Sequence, residues 1–203
     1  MITNKSTKYN DKGEFWHDGR RVIFQRIWGG LSFKGTNLFS VIVGEENFFS
    51  TMHFYILLEM ETEVNDSIID LIQASARYTS LYRVDRWLGR LDTNISETLA
   101  VSNKSMYNSG IKGLSVMDVP RISEYITEGV GLIQNLVKPS EKRLHFFSES
   151  MIPSELVSLP TNKVKAEDHP RTTALSCVLW GFLRYGHENV DSSMLIPSPE
   201  AAY

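Results

Sequence analysis

The sequence predicts an α/β domain in which a mixed sheet carries packed helices. Two patterns support this fold class. Three successive segments in the first third of the chain alternate β-branched and aromatic residues with polar ones, and later segments place apolar residues at helical spacing. The chain has 203 residues, of which 42% are hydrophobic, so it is long enough to bury one complete core.

Three strands are predicted in the first part of the domain, over residues 21–33, 37–44 and 51–62. Gly29 and Gly30 interrupt the first strand, which indicates a bulge or a place where another part of the chain approaches closely. Short polar connections join the strands, and a Glu-Glu-Asn turn is expected at residues 45–47. We therefore expect the three strands to pair as an antiparallel meander.

Helices and strands alternate after the meander. Asn65 or Asp66 can cap a helix with apolar residues at helical spacing, and residues 80–85 (SLYRVD) are then predicted as a short strand that ends in Asp85. Residues 93–110 show no clear pattern. The remaining predicted elements are a strand at 114–117, a helix at 118–138, a strand at 143–148 and a helix at 171–185.

Composition limits the class of protein. We expect an N-terminal arm over residues 1–19, one domain over 20–190 and a tail over 191–203. The formal net charge of -3 argues against a dedicated non-specific DNA-binding protein, although a local basic groove is compatible with it. The single cysteine excludes an internal disulfide and a cysteine-based zinc site. No signal peptide or membrane span is predicted, so we expect a soluble, cytoplasmic protein, in the bacterial host cell if the chain is viral.

Common enzymatic motifs do not occur in the sequence. It contains no phosphate-binding Gly-Lys-Ser/Thr loop, no GxSxG elbow and no HExxH zinc motif. The five histidines show no ligand spacing, and we expect each of them to be solvated or packed rather than bound to a metal ion. They are His17, His53, His145, His169 and His187.

The order of the predicted elements resembles that of the RNase H-like nucleases. A three-stranded meander, a helix, a strand ending in an acid and a late helix with an acid at its start occur in both. The resemblance implies an RNase H-like mixed sheet with flanking helices. It also implies two Mg2+ ions held by carboxylates from the first strand, the end of the fourth strand and the C-terminal helix. Such ions prefer oxygen ligands and stabilise an in-line phosphoryl displacement.

Four short strings resemble the nuclease domain of phage large terminases more specifically. They are Arg26-Ile27-Trp28-Gly29, Leu81-Tyr82-Arg83-Val84-Asp85, Arg143-Leu144-His145-Phe146-Phe147, and Glu167-Asp168-His169 with Thr173-Ala174-Leu175 and Arg184-Tyr185. This resemblance covers about residues 21–185. It implies a Mg2+-dependent endodeoxyribonuclease acting in phage DNA processing and packaging. The family's ATPase motor is not in this sequence, so a separate packaging motor protein is the implied partner.

The acids of that family are incomplete in this chain. Gly29 or Gly30 stands where the first-strand acid is expected, and residues 21–43 contain no Asp or Glu. Thr173 stands where the closing helix should carry an Asp. The resemblance leaves Asp85, Asp168 and Glu167 as catalytic candidates, with Asp85 and Asp168 as ligands of a weakly held Mg2+.

Structural explanations compete with these roles. Asp85 also fits a turn acid or an ion pair with Arg83 or Arg86. Asp168, two residues before a proline, fits the N-cap of the last helix.

Two further sets of charged residues have alternative interpretations. Three alternating acids of the third strand share one face and are expected to be solvated. Three arginines either contact a phosphate backbone, are solvated, or pair with Asp92. The acids are Glu59, Glu61 and Glu63, and the arginines are Arg83, Arg86 and Arg90.

The sequence therefore leaves three functions open. The chain is an impaired terminase-like nuclease, a non-catalytic binding or assembly module that docks on DNA or on a phage protein, or an unrelated α/β domain. Fold alone does not separate the first two. Under the nuclease hypothesis Asp85 and either Asp168 or Glu167 converge near Gly29 and Gly30, with carboxylate oxygens within roughly 5 Å. A Gly29→Asp variant would then recover metal binding.

Overall fold

The structure is a computed structural model that describes residues 2–6, 13–34, 37–62, 68–90, 93–110, 112–119, 123–159, 164–166 and 168–185. Its strands are β1 (Ile2–Ser6), β2 (Phe15–His17), β3 (Arg20–Val22), β4 (Arg26–Lys34), β5 (Asn37–Phe48), β6 (Thr51–Thr62), β7 (Arg86–Gly89), β8 (Val116–Asp118) and β9 (Leu144–His145). Its helices are α1 (Ile68–Tyr82), α2 (Thr93–Asn108), α3 (Ser123–Val137), α4 (Ile152–Val157) and α5 (Pro170–Tyr185). None of the helices in these ranges is long and apolar enough to cross a membrane.

One mixed sheet organises the fold, with strand order β1-β6-β5-β4-β7-β8 and with β9 also paired to β6. The three predicted meander strands, β4, β5 and β6, are antiparallel, and β7 lies parallel to β4 on its other side. β8 continues the sheet in parallel with β7. This arrangement confirms the predicted mixed sheet with antiparallel first strands and flanking helices.

Each face of the sheet has its own hydrophobic core. One face packs against α1 and the β2–β3 hairpin, through residues such as Leu71, Ile72 and Phe15. The other packs against α3, α4 and α5. Helix α5 lies at the centre of that second layer, and 12 of its 16 residues are buried.

The second meander strand is longer than the sequence predicts. Residues 45–47, predicted as a turn, lie inside β5, which continues to Phe48. Glu45 and Glu46 are buried because Arg26 and Arg20 pair with their carboxylates. The turn follows at residues 49–50.

The predicted strand over residues 80–85 is wrong. Helix α1 continues to Tyr82, and Arg83 then adopts a left-handed conformation with φ 55° that ends the helix. The last turn of α1 is fixed on the sheet because the Trp87 indole donates a hydrogen bond to Thr79 Oγ1 at 2.7 Å. Strand β7 therefore begins at Arg86, so Asp85 precedes a strand instead of ending one.

Other parts of the chain also differ from their predictions. The segment expected to be an N-terminal arm contains β1, which pairs with β6, and β2, which pairs with β3. Residues 93–108, left unassigned by pattern, form α2. This helix is fixed by Asn103, whose side-chain amide exchanges two hydrogen bonds with the backbone of Leu114 at 2.8 Å each. The predicted cap at residues 65–66 and the tail at 191–203 lie outside the described residues.

Candidate functional site

Asp85 lies beside the first residues of β4. Its backbone N–H donates a hydrogen bond to the Ile27 carbonyl at 2.8 Å, and its Oδ2 accepts one from the Ile27 N–H at 3.2 Å. The side chain is exposed. These bonds fix the connection between α1 and β7 to the edge of β4, which is the structural role of a turn acid. The predicted pairing of Asp85 with Arg83 or Arg86 is not among its contacts.

Asp168 lies next to the start of α5 and is also exposed. It is not the N-cap, because the first helical bond runs from the Thr173 N–H to the His169 carbonyl at 2.9 Å. The helix start is instead capped by Glu155 of α4, whose Oε2 accepts a hydrogen bond from the Thr172 N–H at 3.2 Å. The predicted capping role of Asp168 therefore belongs to a residue that is distant in sequence.

The structure does not bring Asp85 and Asp168 together. Helix α5 runs antiparallel to β4: Ala174 lies on Gly30, whereas the Arg26 guanidinium reaches the Tyr185 carbonyl at 3.5 Å. Asp85 is therefore at the end of the sheet where α5 stops, and Asp168 is at the end where α5 starts. Glu167 lies outside the described residues.

The place of the missing first-strand acid is occupied by helix α5. Gly30 is on the face of β4 that α5 covers, where the nuclease resemblance requires a carboxylate. A Cβ atom at Gly30 would overlap the Ala174 carbonyl oxygen and would lie 2.9 Å from the Ala174 carbonyl carbon and 2.7 Å from Val178 Cγ2. The expected close backbone approach at this glycine is confirmed, and it leaves no room for an acid.

Gly29 lies on the opposite face of β4. A Cβ atom there would overlap the ring of Trp87, which belongs to the core under α1. An aspartate at position 29 would thus displace a core tryptophan and point away from α5. The structure therefore does not support the expectation that Gly29→Asp recovers metal binding, which remains a prediction.

The sequence predicts only a helix start at Asp118, but the structure places this residue at the end of β8, at the end of the sheet where α5 starts. It is paired with Gly89 at the end of β7, and the Val119 N–H donates to the Gly89 carbonyl at 2.7 Å. The residue that follows β7 is Arg90. It is a cation, whereas the resemblance implies an acid at the end of this strand. The sequence could indicate this position of Asp118 only if it also predicted that β8 pairs in parallel with β7.

Glu59 and Glu61 line a cleft of about 160 Å3 beside the start of α5. They are not solvated as predicted. Glu59 is 6% exposed, and its carboxylate accepts hydrogen bonds from the Ser150 hydroxyl and from the Met151 N–H at 3.0 Å. Glu61 pairs with Arg171 of α5. These carboxylates join the loop before α4 and the start of α5 to β6.

The described carboxylates at the end of the sheet where α5 starts do not fit a two-Mg2+ centre. Within the described ranges, no group of three or more His, Cys, Asp or Glu side chains is arranged to hold a metal ion. Gly30 offers no ligand, and Arg90 adds positive charge where a cation would have to bind. We therefore assign no catalytic step to a metal ion.

Three of the histidines come together on the face covered by the β2–β3 hairpin. His53 Nδ1 and His145 Nε2 are 3.1 Å apart, and the His17 and His145 rings are 4.6 Å apart between centroids. The His145 ring also stacks on Tyr55, whose hydroxyl donates to Glu46 at 3.1 Å. Sequence spacing could not reveal this cluster, because its members come from three separate strands.

The histidine cluster is expected to make stability depend on pH. Burial, followed by the charges of His17 and His53, lowers the pKa of His145 to about 4. An unfolded histidine has a pKa of about 6.5, so the unfolded chain binds this proton more readily. The contribution of neutral His145 is fully present above pH 6.5 and is lost as the pH falls towards 4.

We expect a His145→Phe variant to show a shallower loss of stability than the wild type between about pH 6.5 and 4. Phenylalanine keeps the stack on Tyr55 but cannot bind a proton. Urea unfolding midpoints measured across this range for both proteins check the prediction. Equal pH dependence in the two proteins would show that His145 does not titrate in this way.

Solved structures that resemble this chain include Thermus thermophilus RuvC, with a TM-score of 0.45 and 12% identity over 79% of this chain and 97% of that chain. The fowlpox virus Holliday junction resolvase has a TM-score of 0.45 and 12% identity over 78% of this chain and 98% of that one. The fowlpox resolvase in complex with Holliday junction DNA has a TM-score of 0.32 and 10% identity, over 58% and 87%. No protein-family model and no curated protein sequence matches the chain. Likeness at this level identifies neither an activity nor a substrate.

Proposed function

We propose that this chain is a DNA-binding module of a DNA-processing or packaging assembly that keeps an RNase H-like scaffold without its two-metal chemistry. The single observation behind the loss of chemistry is the contact between Gly30 and the Ala174 carbonyl, which fills the place of the central carboxylate. The terminase-like strings and the sheet order support the link to DNA packaging. In that role the chain would act beside a separate motor protein.

The alternative is a nuclease that uses Asp85, Asp168 and Glu167, as the terminase resemblance implies, with Mg2+. One feature favours this alternative: Asp118 at the end of β8 provides a carboxylate next to the last residue of β7. The two functions predict different results in one assay.

We expect the purified chain to bind duplex DNA and to leave a supercoiled plasmid intact with either Mg2+ or Mn2+. Without a carboxylate at Gly30, β4 supplies no side chain that could bridge two ions and stabilise the phosphoryl transition state. Plasmid nicking and fluorescence anisotropy on the same preparation measure cleavage and binding. Asp85→Ala should not create nicking, because its carboxylate holds the Ile27 backbone, and it should not weaken binding, because it removes a negative charge.

Two results would contradict this proposal. Robust nicking that Asp85→Ala abolishes would restore the predicted nuclease with Asp85 in its site. Nicking that survives Asp85→Ala and is abolished by Asp118→Asn would instead show a nuclease site at the end of β8.

A further inference from the structure

Three arginines lie at the end of the sheet opposite Asp168: Arg86 and Arg184 beside the end of α5, and Arg83 at the end of α1, which covers the other face. We name Arg83, Arg86 and Arg184 the arginine surface. Arg83 ends α1, Arg86 begins β7 and Arg184 is in the last turn of α5. Arg83 and Arg184 are exposed and Arg86 is half-buried.

These guanidinium groups differ from five of the seven other arginines that the structure describes. Those five each pair with a carboxylate: Arg20, Arg21, Arg26, Arg143 and Arg171. In the part of the chain that the structure describes, no carboxylate pairs with a residue of the arginine surface. Among the described residues the surface therefore carries three positive charges against the one negative charge of Asp85, which lies between Arg83 and Arg86 in the chain, although the chain as a whole is acidic.

Aromatic rings hold two of these guanidinium groups in place. Arg86 lies 5.6 Å from the centroid of the Trp28 ring and 5.8 Å from that of Tyr185. Arg184 lies 5.3 Å from the Trp180 ring, and the Trp180 and Tyr185 rings are 6.1 Å apart. A guanidinium that rests on a ring loses side-chain freedom before it binds and keeps N–H donors for an oxygen ligand.

The ligand that fits this surface is an extended anion rather than a nucleotide base. Arginine binds phosphate with paired N–H donors. Trp28 and Trp180 are 3% and 7% exposed, so their rings are covered and cannot stack on an unpaired base. Contacts of guanidinium groups alone favour the sugar–phosphate backbone of a duplex, without reading its sequence.

We infer that the arginine surface binds the phosphate backbone of double-stranded DNA. This inference rests on the proposed function and identifies the surface that would bind the duplex. The surface is at the far end of α5 from Lys165 and Asp168, about 24 Å away along a helix of this length. DNA held there lies at the opposite end of the sheet from Asp168, one of the predicted catalytic candidates.

Anisotropy of a labelled DNA duplex, titrated across a salt series, tests the surface. We expect Arg86→Gln and Arg184→Gln each to weaken binding several-fold and to reduce the slope of log affinity against log salt by about 1. Lys165→Gln is the matched control, since it removes one exposed cation at the other end of α5. It should bind DNA as the wild type does.

Arg83→Gly separates a binding role from a structural one. Arg83 has φ 55°, a conformation that glycine adopts without strain, so this variant should unfold at a higher urea concentration. It should nevertheless bind the duplex more weakly. If Arg83 had only a structural role, the more stable Arg83→Gly variant would bind DNA as tightly as the wild type.

The possible failures are distinguishable. A wild-type chain that binds no duplex contradicts the proposed function and the inference together. If the wild type binds but the double variant Arg86→Gln/Arg184→Gln keeps full affinity, or Lys165→Gln weakens binding equally, the arginine surface is wrong and the proposed function stands. Tighter, arginine-dependent binding of single-stranded DNA would also overturn the duplex assignment.

Discussion

Replacing Gly30 by alanine is expected to destabilise the fold by about 3 kcal/mol. The added methyl group would overlap the Ala174 carbonyl oxygen, which belongs to a helix backbone and cannot rotate away as a side chain can. Ala174 and Val178 are fully buried, so α5 would have to move off the sheet to relieve the overlap. Urea unfolding with an unchanged m-value measures this loss.

Gly131→Ala in α3 is the matched control for this substitution. Nothing lies within 4 Å of a Cβ atom built at Gly131, and the position is inside a helix. Alanine there should stabilise the protein by about 0.5–1 kcal/mol through helix propensity. If Gly30→Ala were as well tolerated as Gly131→Ala, α5 would not pack on β4 as described, and the place of the missing acid would be open.

The sequence predicts the elements whose patterns are local. Strand β6 and helix α5 follow from alternation, from helical spacing and from the proline at the start of the helix, because each pattern lies within one element. The first predicted strand is correct only from Arg26 onward, since residues 20–22 form the separate strand β3. The antiparallel pairing of β4, β5 and β6 follows as well, because short connections join these strands.

The candidate site depends on contacts between distant residues, and the sequence does not show them. The apolar pattern predicts that Asp85 ends a strand, because the pattern does not reveal the contact between Trp87 and Thr79. That contact holds the last turn of α1 on the sheet, so the helix continues through residues predicted as strand. The alternation of polar and apolar residues in β6 predicts that Glu59 is solvated. Its carboxylate instead accepts a hydrogen bond from Ser150, which is 91 residues later in the chain. The same holds for His53 and His145, which are 92 residues apart in the chain.

Replacing Arg26 by methionine is expected to destabilise the protein by about 3 kcal/mol at neutral pH. Arg26 donates to both carboxylate oxygens of Glu45, at 2.5 and 2.9 Å, and Glu45 is 1% exposed. Burial already raises the pKa of Glu45 above its usual value, against the opposing effect of Arg26. Without the guanidinium, the carboxylate remains buried and charged with its main partner removed.

The pH dependence and a double variant distinguish this cause from a loss of packing. Losing Arg26 raises the folded-state pKa of Glu45 further above its unfolded value, so the penalty is fully present above that folded pKa and is relieved as the pH falls through it. The variant should therefore come closer to the wild type in acid. Arg26→Met combined with Glu45→Gln should recover most of the loss at neutral pH, because no buried charge remains. A double variant as unstable as Arg26→Met alone would mean that Arg26 stabilises the fold by packing near Trp28 and Phe182 rather than by neutralising Glu45.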